Sequence, residues 1–319
     1  MRPITSGNVQ QMQQLNVLGG AQSAHPYSDA ISGMTVSEGG QYVAAYTWKA
    51  LHLWDTAAQR LLWHSAVECS QAAFSPDASA LAVILYGRPN QVLLLDARSG
   101  ETVRVLSGPQ ETLFGTLAFS PDGRLLAYTT IRPTPRLALF NTQNWQIIHA
   151  ADLSIGSWAL SFTADSQQLM VSCAQEINPY GEYARATLLM DLATMRHETL
   201  AVGDNPAAIT PDGSRLIVGH QIVDRSAGQP LHRFEGSFKT PSFSADGSLF
   251  LVANHARLTW RAVRDGQAFH TLPVLFRPFI HAYALNRQAT LCAITSGGLM
   301  PGARQPGDAH SGILLWGVL

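Results

Sequence analysis

Histidine, cysteine and carboxylate side chains bind metals, attack carbonyls and move protons, and this sequence of 319 residues has eleven His, three Cys and 22 Asp plus Glu. Their arrangement supports none of those reactions. His52, His64, His149, His197, His220, His232, His255, His270 and His281 are scattered without the spacing of a ligand set. The chain has no Gly-rich phosphate loop ending in Lys-Ser/Thr, no His-Glu-x-x-His, no Cys-x-x-Cys and no Gly-x-Ser-x-Gly. Cys69, Cys173 and Cys292 are odd in number, far apart and set in apolar runs, where a free thiol is a small hydrophobe. No metal, cofactor or catalytic residue is therefore assigned.

Asp77, Asp122, Asp165, Asp212 and Asp246 recur at regular distances, and a group that recurs serves the repeat, whereas catalysis needs a unique one. Each sits in a tight turn between two apolar runs: Phe74-Ser75-Pro76-Asp77, Phe119-Ser120-Pro121-Asp122-Gly123, Phe162-Thr163-Ala164-Asp165, Ile209-Thr210-Pro211-Asp212-Gly213 and Phe243-Ser244-Ala245-Asp246-Gly247. Weaker copies stand at Val36-Ser37-Glu38-Gly39 and Leu285-Asn286-Arg287-Gln288, giving seven. Ser or Thr bonds the backbone, Pro presets φ, and Gly accepts the exit geometry of the turn.

Around each turn lie runs of four to six residues rich in Val, Leu, Phe and Trp, split by Gly, Pro, Asn and Asp, with no helical periodicity. In the third copy these are 116–119, 125–129, 137–140 and 145–148. Four strands in a unit of about 42 residues is the pattern of a β-propeller blade. The expected fold is all-β, a seven-bladed β-propeller with four antiparallel strands per blade. It forms one domain over residues 1–319, with blades at about 31–65, 70–107, 115–150, 157–202, 205–236, 240–273 and 280–319.

Leu53-Trp54-Asp55, Leu95-Asp96, Met190-Asp191, Val223-Asp224 and Leu315-Trp316-Gly317 resemble the third-strand signature of WD40 repeats, and the resemblance covers essentially the whole chain. Residues 12–20 resemble the outermost strand of such a blade, which implies that they complete the seventh blade and close the ring. The buried polar tetrad usual in that family is missing from every copy, so apolar packing is expected to hold the blades together. Propellers resembling TolB or the surface-layer YVTN repeats share the turn but not usually the Trp-Asp strand, and remain an alternative subtype.

In a propeller, individuality lies in the connections, which in WD40 proteins gather on one face. The connections between second and third strands are unequal here: 86–91 in blade 2, 131–136 in blade 3, 176–185 in blade 4 and 296–312 in blade 7. They carry Arg88, Arg132, Arg136, Tyr180, Tyr183, Arg185 and Arg304, residue types enriched at interface hot spots. Phe276, Arg277 and Phe279 join them from the connection before blade 7, whose shape Pro273 and Pro278 restrict. These ten residues are the candidate partner-binding set of a non-enzymatic scaffold that takes a protein or peptide. The alternative is an enzyme or small-ligand binder with a pocket at the channel mouth, for which Trp48, Trp158, Arg277 and His281 are the candidates.

Charged residues are 13% of the chain, about half the usual share, and the net charge is −1. Of the 21 basic residues only Lys49 and Lys239 are Lys, so the cations suit planar, bidentate contacts and not diffuse polybasic attraction. Neither nucleic acid nor an acidic membrane is an expected partner. The first thirty residues lack a signal-peptide core and no run reaches a membrane span, which predicts a soluble cytoplasmic protein, a monomer or a subunit of a larger complex.

Overall fold

The computed structural model describes residues 1–18, 31–47, 49–85, 91–107, 113–132, 134–153, 157, 159–176, 183–202, 207–235, 237–254, 257–272, 280–296 and 312–319. Seven four-stranded antiparallel sheets form a ring, and the only helical element among these residues is the 3-10 turn Val9–Gln11. The blades span 33–65, 69–107, 113–152, 159–202, 207–233 and 237–272, with the seventh built from 280–317 and the strand Gln13–Leu18. That strand pairs antiparallel with Gly312–Gly317, from Gln13 opposite Gly317 to Leu18 opposite Ile313, and so closes the ring. No helix is long and apolar enough to cross a membrane.

The turn between first and second strands is built as its residues dictate. Ser75, Ser120, Thr163, Thr210 and Ser244 each donate to the Asp two positions on, at 2.5–2.6 Å. The same hydroxyls accept the N–H five positions on, at 2.9–3.1 Å. Gly123, Gly213 and Gly247 close the turn with φ of 72°, 73° and 67°, the region a Cβ disfavours, and Ala78 and Ser166 hold the same conformation at a cost. In blade 7, Asn286 replaces both side chains by accepting from the N–H groups of Thr290 and Leu291.

These bonds hold the turn carboxyls below their usual range. Burial pushes Asp77, Asp122 and Asp246 up, but hydrogen bonds from Ser75, Ser120 and Ser244 and from backbone N–H groups outweigh it, bringing Asp246 to about 2. For Asp165 and Asp212 the bonds from Thr163 and Thr210 are the largest influence. Because each carboxyl is a stronger acid folded than unfolded, its contribution is complete above the unfolded value of about 3.9. It is lost as pH falls through the folded value. Denaturant titrations are expected to show stability declining from about pH 4 to pH 2, with a shallower decline in Asp246→Asn.

The turn between third and fourth strands explains the recurring Asp after the third strand. Asp55, Asp96 and Asp224 each accept two successive backbone N–H groups at 2.7–3.0 Å. The residue that closes this turn is left-handed: Gly100, Gly228 and Gly266, but also Gln59, Trp145 and Met195. Trp145 therefore belongs to the turn, and the fourth strand of blade 3 begins at Ile147, two residues later than the apolar run implies.

The core is distributed between blades. Of seven apolar clusters, one lies at each blade junction, for example Leu51, Leu53, Leu81 and Val83 between blades 1 and 2. Between blades 6 and 7, Trp260 and Trp316 are buried, and neither indole N–H has a hydrogen-bond partner among the described residues. Apolar contact, not a polar tetrad, holds these two blades.

Residues 1–12 add a feature with no counterpart in the repeat. Ile4 donates its N–H to Ala289 O (2.7 Å) and accepts from Ala245 N–H (2.8 Å), bridging the turns of blades 7 and 6. Ser6 donates from its N–H and its hydroxyl to Asp246 Oδ2, both at 2.9 Å. Ile4, Val9 and Met12 are buried against the cluster that contains Trp260 and Trp316.

Candidate functional site

A meander of four strands sends its first-to-second and third-to-fourth turns to one end of the ring and all other connections to the opposite end. Of the ten candidate partner-binding residues, Arg88, Tyr180, Phe276, Arg277, Phe279 and Arg304 lie outside the described residues, as do Trp48 and Trp158. Arg132, Tyr183 and His281 are placed by their backbones, on the second strand of blade 3 (Leu125–Arg132), the third of blade 4 (Tyr183–Asp191) and the first of blade 7 (Ile280–Leu285).

Arg136 opens the third strand of blade 3 and faces Asp152 across the sheet, with Nε 2.7 Å from the carboxylate. Thr130 ties down the short connection before it, donating to Thr134 O (2.7 Å) and accepting from Arg136 N–H (3.0 Å). Blade 4 differs from a simple loop: its second and third strands are nine residues each, and pairing runs out to Glu176 opposite Tyr183. Part of the expected connection 176–185 is thus a β-ribbon, with Arg185 exposed on it opposite Ala174. The sequence did not show this, because the polar residues Gln175 and Glu176 after the apolar run mark a strand end as readily as a ribbon.

The turn end of the channel holds a feature that the repeat pattern obscured. The second turn position is Pro76, Pro121, Ala164, Pro211 or Ala245 in five blades, but Glu38 in blade 1 and Arg287 in blade 7. These turns converge on the axis. Pro211 sits 3.3 Å from where a Cβ on Gly247 would be, and Asn286 Nδ2 donates to Glu38 O at 2.6 Å. Arg287 reaches across the channel to donate to Ala164 O (2.8 Å), and its other terminal nitrogen lies 4.0 Å from Glu38 Oε1. Beside this bridge is a depression of about 420 Å³ between Pro211, Phe243, Ala245, Leu285 and Arg287. The signal available beforehand was that these two turns are the charged exceptions.

The cysteines are held away from chemistry. All three are buried, and burial pushes the thiols up, to about 11 for Cys173, about 12 for Cys292 and beyond for Cys69. Among the described residues, no three His, Cys, Asp or Glu side chains come together in a metal-holding group. No protein-family model matches the sequence, and no curated protein matches it. The chain is, by its own strand pairing, a seven-bladed β-propeller closed by its N-terminal strand.

Proposed function

We propose that this propeller is a divergent WD40-type scaffold, non-enzymatic and cytoplasmic, that binds a protein or peptide on the end of the ring opposite the Asp-bearing turns. The observation that carries the reading is the blade 4 ribbon, nine residues in each strand where the equivalent strands of blade 5 have four. A rigid closed ring loses little entropy when it presents such a projection to a partner. Arg136 and Arg185, both exposed at that end, suit carboxylates or aromatic faces on a peptide. The net charge of −1 favours neither nucleic acid nor an acidic membrane.

The test compares wild type with Arg132→Glu/Tyr180→Ala/Arg304→Glu in pull-downs from host lysate, after circular dichroism has established that both are folded. A partner retained by wild type is expected to bind the variant at least about 30-fold more weakly, the effect of losing one strong hot spot. Equal retention of every recovered partner would place the binding surface elsewhere.

A further inference from the structure

From the turn end of the channel we infer a second binding site, for a small zwitterion: a free α-amino acid with an apolar side chain. Two charges of opposite sign, Arg287 and Glu38, stand where every other blade places Pro or Ala. A turn needs neither charge, and the Asn286 side chain alone completes the blade 7 turn. Arg287 makes one hydrogen bond among the described residues, to Ala164 O, although a guanidinium carries five donors. Its separation of 4.0 Å from Glu38 is a loose pair, and both side chains are partly open to solvent. The rest of the depression is apolar at Ala164, Pro211, Phe243, Ala245 and Leu285 and polar at Ser242, Ser244 and Asn286, of which Ser244 is committed to Asp246 and Leu249 and Asn286 to Glu38, Thr290 and Leu291.

The charge pattern selects the ligand. A simple carboxylate on Arg287 would bring its charge up against Glu38, and a simple amine on Glu38 would meet Arg287. An α-amino acid carries both charges on one carbon, so its carboxylate answers the guanidinium and its ammonium answers Glu38. Its side chain then lies on Phe243 and Leu285. A volume of about 420 Å³ is near the small end of ligand pockets, roughly 300–1,000 Å³, which favours a compact molecule.

Isothermal titration of the full chain with L-leucine and L-phenylalanine tests this, with leucinamide lacking the carboxylate, 4-methylpentanoate lacking the ammonium, and glycine lacking the side chain. At least one of the two amino acids is expected to bind, and each deleted analogue to bind roughly tenfold or more weakly. Arg287→Gln is expected to weaken the amino acid by a similar factor. Glu38→Gln is expected to weaken the amino acid while strengthening 4-methylpentanoate, a crossover that loss of structure cannot produce. The analogue series on the unsubstituted chain stands even if a variant fails to fold. No heat with either amino acid at millimolar concentration would overturn the inference. So would 4-methylpentanoate binding as tightly as leucine, or undiminished binding by folded Arg287→Gln.

Discussion

A chain lacking residues 1–18 is expected to lose its cooperative thermal transition and to elute from size exclusion as aggregate. The deletion removes the fourth strand of blade 7 and leaves Gly312–Gly317 as an unpaired edge, a template for pairing with other chains. It also uncovers the sites of Ile4, Val9, Met12 and Leu18, all buried. At about 1.5–3 kcal/mol for each such side chain, the loss is on the order of 6–12 kcal/mol, as large as the whole stability of an ordinary domain. Ile4→Ala alone isolates the wedge between blades 6 and 7 and is expected to cost about 2–4 kcal/mol in denaturant unfolding while leaving the ring closed. A truncated chain that stays monomeric and melts cooperatively within a few degrees of the intact one would show that the first eighteen residues are dispensable.

The second large effect is expected at Gly33, in the first strand of blade 1. A Cβ there would lie 2.3 Å from both Cζ and Oη of Tyr46, the cross-strand neighbour whose ring covers the glycine. That ring is buried in the cluster joining blades 1 and 2, and burial pushes its hydroxyl well above the usual phenol range. Gly33→Ala must drive the ring out of the junction, and about 3 kcal/mol of destabilisation is expected in guanidinium unfolding. In a Tyr46→Leu background, which lacks the clashing atoms, the same substitution is expected to cost under about 1 kcal/mol. Equal costs in the two backgrounds would mean that the ring is not what Gly33 accommodates.

Legibility in the sequence followed the range of the interactions. Each Ser/Thr-Pro/Ala-Asp-Gly turn is satisfied within five residues, so the repeat and the strand number could be anticipated from local pattern, whereas the closing strand, expected at residues 12–20 and found at 13–18, came from the resemblance to WD40 repeats. The wedge of residues 1–12 could not, because Ile4 and Ser6 carry no local pattern and their partners Ala245 and Asp246 lie some 240 positions away. Trp145 misled because an aromatic in a left-handed turn looks like the start of a strand. At the channel, Glu38 and Arg287 are ordinary turn charges taken singly and stand out only when the seven turns are aligned position by position.

The closing strand and the wedge also set a schedule for the ribosome. Arg2 bonds to the carbonyl of Leu319, 317 positions along the chain, and its backbone pairs with Val318. The partners of the closing strand, Gly312–Gly317, are therefore made about 300 positions after it and after six blades, whereas Ile4 and Ser6 can meet Ala245 and Asp246 once blade 6 has begun. At about 5–20 residues per second, that wait is on the order of 15–60 seconds. Until blade 6 is made, Ile4, Val9 and Met12 are apolar side chains on a tether whose covering cluster does not yet exist. The strand that shelters residues 13–18 follows six blades, so the interval before Gly312–Gly317 emerges is when this chain most needs a chaperone.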